Sequence, residues 1–559
     1  MAERVFIGVA WPYANGPLHT GHIAGAYLPA DIFARYQRLA GRDVLMVSGS
    51  DQHGTPITVR ADREGLPPSE IASRFHEEFL QTWQRLGISF DIFTHTSTEN
   101  HERTTHEIFL DLLEKGHVYP GKMSLPYCPQ DKRFLPDRYV EGTCPNCGYA
   151  SARGDQCDNC GRTLDASDLQ DPRCRLCGTR PEWREEEHFF LRLSAFNDRL
   201  KEWVSRQTHW RKTVLNWTLG ILNEGLEDRA ITRDIDWGIP IPLPGYDSKR
   251  IYVWFEAVIG YLSAAKEWAA ANGDPEAWRR FWLDAAVPSY YFIGKDNIPF
   301  HTIIWPAMLM GYNEDATEKL RLPFDVPANQ YQTVRGSKAS TSRNLAVWVP
   351  DYLSRYDPDP LRYYLAATMP ETSDSDFTWT DFYRRNNDEL VAAWGNLVNR
   401  VLTFSYRNFG GAVPQPQALT SEDQALLLRV ESALAEAGEL INACHFRSAI
   451  EAAMAATREA NRYLEENAPW KLLSEDRERC AAVLYTAIGA ISGLKVAFSP
   501  FLPFTCQQLH GFLGQEGPLE AQGWSFQRPA PGQPLAEPKP LFRKLEPELV
   551  EAEEAKLGV

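Results

Sequence analysis

Two histidines, His19 and His22, stand three residues apart on a turn that carries Gly16, Pro17 and Gly21. Imidazoles can donate hydrogen bonds to phosphate oxygens as charge builds during a reaction. A helix N-terminus offers the same oxygens free N–H groups and the positive end of a dipole. For a His pair taken alone, the plainer reading is that one caps the helix and the other lies at the surface. Asp51, in Gly49-Ser-Asp-Gln-His-Gly-Thr-Pro56, follows an apolar run; its carboxylate could hold an ammonium group, or cap the next helix. Asp296, in Gly294-Lys295-Asp296, follows another such run, where an acidic side chain suits ribose hydroxyls. Trp254, Tyr261 and His301 stand close by in sequence on expected helices.

A second kind of chemistry is written in cysteine. Seven of the 10 cysteines fall between Cys128 and Cys177. Cys144-Pro-Asn-Cys147 and Cys157-Asp-Asn-Cys160 are two C-x-x-C knuckles, each followed by Gly, the pattern of a tetrahedral Cys₄ zinc site. A further knuckle, Cys174-Arg-Leu-Cys177, faces Cys128-Pro-Gln-Asp131. Either Asp131 completes a Cys₃Asp site, since carboxylates bind zinc, or this second site holds nothing. The spacing predicts interleaving, the outer pairs bracketing the inner. Zinc would stiffen a small lobe with almost no apolar core, and a Cys₄ site leaves no open position for catalysis.

The elements that must position these groups read as α/β. Val5 to Ala10 is an apolar run without alternation, as in a parallel strand buried on both faces. Ile23 to Leu39 has helical periodicity. Asp43 to Ser48 is a second buried strand, and residues 68–115 give two amphipathic helices, one capped by Ser69 and one near Glu99 to Lys115. Residues 119–240 break the rhythm, which resumes with Ile251 to Tyr261 and the strand from Ser289. In open parallel sheets the carboxyl ends of strands line the ligand crevice, so His19, His22, Asp51 and Asp296 should meet. From Asp381 to about Leu513 the pattern is helical, about five helices in a bundle. Asn467-Ala-Pro-Trp-Lys471 interrupts it; Trp470 is either an exposed ring on which RNA bases stack or a packed one. A Pro-rich tail ends in a possible short helix over Glu548 to Lys556. The expected division is a Rossmann-type catalytic domain in two halves (1–118 and 241–328), an inserted connective domain (119–240), a signature-loop region (329–385), an α-helical bundle (386–515) and a tail (516–559).

Bulk numbers set limits. At 559 residues several domains are expected. No run approaches about 18 apolar residues, so no membrane span is expected, and the N-terminus leaves no room for a signal peptide; the expectation is a cytoplasmic protein. The net charge of −16 excludes non-specific nucleic-acid binding over the whole surface, so any RNA contact must be local.

The His19-Thr-Gly-His22 stretch resembles the His-Ile-Gly-His signature of class I aminoacyl-tRNA synthetases, and Pro12-Tyr-Ala-Asn-Gly-Pro-Leu-His-Thr-Gly-His22 resembles the methionyl-tRNA synthetase family. Further on, Gly336-Ser-Lys-Ala-Ser-Thr-Ser-Arg343 is similar to the second class I signature, Lys-Met-Ser-Lys-Ser; Lys338, Ser340 and Ser342 match, while Ala339 and Thr341 stand for methionine and the second lysine. The paired knuckles, Phe292-Ile-Gly-Lys-Asp296 with Phe300-His301, and Asn467-Ala-Pro-Trp470 follow the family order, so the resemblance covers nearly the whole chain.

The resemblance implies ATP-dependent activation of L-methionine to methionyl-adenylate and transfer to the 3′ end of tRNA(Met). ATP, with Mg²⁺, would contact His19, Gly21, His22, Gly294, Asp296, Lys338, Ser340, Thr341 and Ser342. With one signature lysine replaced, Lys338, Arg335, Arg343 and Lys295 are the cations open to the pyrophosphate. Methionine would lie among Trp11, Tyr13, Trp254, Ala257, Val258, Tyr261 and His301, its ammonium on Asp51; Trp11 and Val258 replace the family's usual leucine and proline. Asn396, Arg400 and Trp470 match anticodon-reading positions. The chain stops short of the family's C-terminal dimerising domain, which implies a monomer. Two other readings stay open: a tRNA-binding paralogue with weak or no activation, supported by Thr341, and a synthetase for another small aliphatic amino acid, against which stands the lack of a large editing insertion.

Overall fold

The computed structural model describes residues 3–154, 157, 159–160, 162, 164–338 and 346–558. The chain opens on strand β1 (Arg4–Val9), turns through the His19 stretch, and enters a helical segment whose last straight portion is α1 (Leu28–Leu39). It then forms β2 (Asp43–Ser50) and β3 (Ile92–His95), leaves the sheet through β4 (Val118–Cys128) and β5 (Glu182–Leu191), and returns by helix α2 (Val253–Ala271) to β6 (Ser289–Gly294) and β7 (Ala328–Asn329). The five-stranded sheet has the order β7-β6-β1-β2-β3, and its pairings are parallel. β1 is thus flanked by β2 on one side and by β6 on the other, a strand contributed from nearly 300 residues away. Helices cover both faces, so β1 splits its side chains between two cores: Val5, Ile7 and Val9 in one, Phe6 in the other.

The insertion is an antiparallel arm. β4 and β5 pair from Val118↔Leu191 to Tyr127↔Glu182. At its tip a three-stranded sheet carries the cysteines, with its own small core of Leu135, Tyr139, Val140, Ala152, Leu164 and Leu169 packed against four of the cysteines. The lobe therefore has more apolar packing than its composition suggested.

Downstream lies a bundle built on α3 (Asn396–Asn408), α4 (Ser421–Asn442), α5 (Phe446–Asn467) and α6 (Arg477–Phe498). α6 is long and apolar enough to cross a membrane by length and composition, with mean hydropathy 1.6, but 94% of that stretch is buried inside the bundle; it is the bundle's core helix, and its length escapes a search for uninterrupted apolar runs. Other expected boundaries moved slightly. The helix expected to be capped by Ser69 begins at Pro68 with Pro67 at its cap. The tail docks: Asn386 and Asn387 donate to the Arg543 and Leu545 carbonyls at 3.1 and 2.9 Å, and the Trp524 ring packs edge-on to Tyr36 at 4.9 Å.

One buried ion pair ties the sheet to the bundle. Asp31 on α1 and Arg362 are both fully buried, 2.6 Å apart. Arg362 also donates to the Pro500 and Phe501 carbonyls beyond α6, and to Leu86 O. Burial alone would push the Asp31 carboxyl up; the Arg35 and Arg362 guanidiniums and two bonds from Ser89 hold it well below the usual carboxylate range. Removing Arg362 leaves the buried Asp31 charge with Arg35 as its one cationic partner among the described residues and strips the Leu86, Pro500 and Phe501 carbonyls of their donor. Arg362→Met is accordingly expected to cost about 3–5 kcal/mol of stability, read as a lowered midpoint in urea unfolding followed by tryptophan fluorescence.

Candidate active site

The carboxyl ends of β1 and β6 lie side by side, with Val9 opposite Phe292. A cavity of about 260 Å³ opens there. Trp11, Tyr13, His19, Gly21, His22, Asp51, Trp254, Ala257, Val258, Tyr261, Gly294, Asp296 and His301 all line it. These residues come from widely separated parts of the chain, and the sheet brings them together as expected for the switch point of a doubly wound fold. Gly25, Tyr27, Asn297 and Gln330 to Gln332 also line it and escaped sequence reasoning; the one signal was their position beside the histidine turn, the Lys-Asp motif and the Ser-rich loop.

The two histidines both cap and line. His19 is the N-cap residue, its Nδ1 accepting from Gly21 N at 3.1 Å, while His22 Nδ1 accepts from His19 N at 3.2 Å. With both Nδ1 atoms acting as acceptors, the neutral rings carry their protons on Nε2. The rings stack at 3.7 Å. Thr20 N donates to Val347 O at 3.0 Å and Val349 N to Leu18 O at 2.9 Å, so the chain just beyond the Ser-rich loop is stitched to the histidine turn. Gly21 has no room for a side chain: a Cβ would stand 3.0 Å from the His19 ring and 3.3 Å from Gln332 O. After this turn one stretch of π-helix, Ile23–Tyr27, leads into α1.

The acidic groups differ in surroundings. Asp51 is 3% exposed. Burial and the nearby charge of Glu256 push its carboxyl well above the ordinary value, against the pull of the His53 N–H. A cationic group entering the cavity would compensate that charge. Asp296 lies at the turn after β6, and a Cβ at Gly294 would meet its carboxylate oxygen at 2.8 Å. Lys295 at the rim pairs with Asp374 at 2.7 Å and lies over the Tyr331 ring. Arg335 donates to Glu554 O at 2.9 Å. Lys338 falls in a short strand, Ser337–Lys338; its side chain, and Ser340, Thr341, Ser342 and Arg343, lie outside the described residues.

The apolar side of the cavity is aromatic. Trp254 stacks on Phe300 at 3.9 Å, and Tyr13 meets Trp254 edge-on at 6.0 Å. Trp11 fits only because two glycines face it: a Cβ at Gly49 or Gly260 would come within 2.3 or 2.7 Å of its ring. His301 Nδ1–H donates to Asn297 O at 2.9 Å, which leaves Nε2 to accept from the Tyr261 hydroxyl at 2.7 Å.

The cysteines form the two interleaved groups. Cys144, Cys147, Cys157 and Cys160 are one, and Cys128, Asp131, Cys174 and Cys177 the other, each with its ligand atoms within 4.8 Å of one another. Sγ pairs lie 3.9, 3.6 and 3.5 Å apart, close to the roughly 3.8 Å edge of a tetrahedron with 2.3 Å Zn–S bonds. Asp131 Oδ2 lies 3.3 Å from Cys128 Sγ and 3.0 Å from Cys174 Sγ, so a carboxylate fills the fourth corner. Gly148 and Gly178 take positive φ, +72° and +74°, directly after two of the knuckles. All 10 cysteines are free thiols.

A family model described as tRNA synthetases class I (M) matches residues 5–402, and one described as the anticodon binding domain of methionyl tRNA ligase matches residues 413–558. A methionine–tRNA ligase of Dehalococcoides mccartyi is 58% identical over 559 residues, which is 100% of both chains. One from Thermomicrobium roseum is 53% identical, covering 100% of this chain and 99% of the other. The solved Mycobacterium tuberculosis methionyl-tRNA synthetase bound by methionyl-adenylate has a TM-score of 0.81 at 26% identity, covering 97% of this chain and 100% of that one.

The chain belongs to the methionyl-tRNA synthetase family.

The family's helical part carries the remaining three expected residues. Asn396 and Arg400 are exposed one turn apart on α3. Trp470, 43% exposed, stands on the short helix Pro469–Glu475, with the Arg400 guanidinium 4.8 Å from its ring centroid. The ring is thus an open surface bordered by a cation rather than a core group.

His301 gives the cavity an acid sensitivity. Burial pulls its imidazole down to about 4, against about 6.5 in an unfolded chain. Between those values the unfolded chain binds a proton that the folded one does not, so stability falls as pH drops through the window. His301→Gln should remove about 2 kcal/mol of the stability lost between pH 7.5 and pH 5, measured as the difference in urea midpoints at the two pH values.

Proposed function

We infer that the cavity activates L-methionine with ATP to methionyl-adenylate and that the methionyl group then passes to the 3′ end of tRNA(Met). The observation that carries this is the meeting, at the carboxyl ends of β1 and β6, of a stacked histidine pair, two carboxylates and an aromatic pocket, in a chain of this family.

The roles divide by chemistry. His19 and His22 donate from Nε2 to the triphosphate, and Asp296 binds the ribose. Asp51 holds the α-ammonium, with Trp11, Tyr13, Trp254, Ala257, Val258, Tyr261 and His301 around the thioether, a polarizable group that suits aromatic walls. The methionine carboxylate attacks the α-phosphorus; the P–O bond to pyrophosphate breaks, and pyrophosphate leaves with its charge. No covalent enzyme intermediate is needed, so rate comes from alignment and charge stabilisation. Lys338 is the signature-loop cation; Lys295 joins it by exchanging Asp374 for phosphate. Mg²⁺ bound with ATP would supply further neutralising charge to the pyrophosphate. The two cysteine groups would hold structural zinc.

The test is methionine-dependent ATP–pyrophosphate exchange. Exchange is expected with methionine and not with valine or isoleucine; its absence with any amino acid would leave a tRNA-binding protein only. Trp470→Ala separates the two halves of the reaction. Loss of a stacking ring costs about 1–3 kcal/mol, so tRNA charging should fall about 10- to 100-fold while exchange is unchanged. Equal loss of both would mean that Trp470 acts through the fold and not on the tRNA.

Metal analysis by emission spectrometry should return two zinc ions per chain. Asp131→Ala, which removes the carboxylate corner, should return about one.

A further inference from the structure

Glu256 is a carboxylate that the reading above leaves unused. It lies on α2 between residues that line the cavity, Trp254 before it and Ala257 and Val258 after it, yet its own side chain is fully buried. His53 Nδ1 lies 2.9 and 3.0 Å from its two oxygens. His101 Nε2 lies 3.5 Å from Oε2, near enough for charge attraction but not hydrogen-bonded to it. Burial works against the charge of Glu256, but the two imidazoles outweigh it and hold the carboxyl below its ordinary value.

Each histidine leads to a different part of the cavity. The His53 backbone N–H donates to Asp51 Oδ1 at 3.3 Å, and its ring Nε2 meets Ser97 Oγ at 3.1 Å. The turn on which Asp51 and His53 sit is also fixed by Trp237 Nε1 donating to Gln52 O at 2.6 Å. The His101 ring, held by Ser263 Oγ at 2.8 Å, backs the Trp11 indole at 6.1 Å. A single buried carboxylate therefore anchors both the acidic group and the aromatic wall on one side of the cavity, and its links lead to neither the stacked histidines nor Asp296.

We propose that Glu256 is the positioning residue of the methionine subsite, fixing Asp51 through His53 and Trp11 through His101. It touches no substrate. The proposal rests on the reading of Asp51 and Trp11 as methionine contacts.

Glu256→Gln keeps the shape and removes the charge. Losing a charge-assisted hydrogen bond predicts a rise of about 10- to 100-fold in KM for methionine in ATP–pyrophosphate exchange, with KM for ATP and the melting temperature close to wild type. Methioninol, which keeps the ammonium and thioether and lacks the carboxylate, should lose competitive inhibition by the same factor. An unchanged methionine KM, or an equal rise in both KM values, overturns the proposal. If Glu256→Gln does not fold, His101→Asn, which leaves the Glu256–His53 contact in place and frees only the Trp11 side, must still raise the methionine KM selectively, by a smaller factor, and an unchanged KM is equally decisive. Wild-type exchange indifferent to methionine would instead sink the functional reading on which the proposal stands.

Discussion

The parallel pairing of β1 with β6 is the constraint on which the rest of the molecule depends. Phe6 to Val9 lie opposite Ser289 to Phe292, and this register sets the histidine turn and the Gly294-Lys295-Asp296 turn beside each other at one end of the sheet. A parallel pair needs a long crossover, and here the crossover grew to hold the arm and its cysteine lobe. Slipping either strand by one residue would turn Val9 and Phe292 away from their faces and part the two turns. The two apolar cores on opposite sides of β1 make such a slip costly, so the site's geometry is enforced by packing far from any polar atom.

The cavity then gathers charge that burial disfavours. Asp51 and Glu256 are both fully enclosed carboxylates, but they are satisfied differently. Glu256 has two imidazoles; Asp51 has one backbone N–H and is left raised. That contrast separates a group meant to hold structure from one that gains its counter-charge from outside. The same logic applies between domains. Asp31 and Arg362 are fully paired at 2.6 Å, with backbone carbonyls absorbing the remaining guanidinium donors, so this buried pair locks the bundle to α1. Arg211, from the insertion, donates to Asn329 Oδ1 at 2.6 Å and Cys444 O at 2.9 Å, and Asn329 donates to Ala24 O in the π-turn. Sheet, insertion and bundle are thereby held through polar contacts as well as apolar ones.

Strand ends, knuckles and the helical bundle were legible in the sequence because each has a local signature: an unbroken apolar run, a fixed C-x-x-C spacing, a 3.6-residue period. So were the cavity-lining residues matched by family resemblance. What could not be read is complementarity between distant positions. Nothing near Trp11 says that Gly49 and Gly260 leave space for its ring. Nothing near Glu256 announces His53 and His101. Asp31 reads as an ordinary helix acid until Arg362 arrives. α6 is legible as a helix over Ala482 to Val496, but its full length is not, because Arg477, Glu478, Arg479 and Lys495 cut the apolar run near its ends. The tail gave its composition and a short terminal helix, realised as Glu548–Glu554, but not its docking onto Asn386, Asn387 and Tyr36.

The histidine turn offers two readings, a helix cap or a phosphate site; the structure shows the cap and leaves it compatible with the other. Each Nδ1 is spent on a backbone N–H of the turn. That bond is what commits the proton to Nε2, because a neutral imidazole cannot accept and donate at the same nitrogen. A free histidine would divide itself between two tautomers and many rotamers. A capping one has neither freedom, so its donor is set in advance and would not need to reorganise toward an anion placed there. Stacking at 3.7 Å removes the remaining ring rotation. The turn sequence thus matters twice: Gly21 allows the close approach that lets His19 cap, and the cap fixes which atom of His19 faces chemistry.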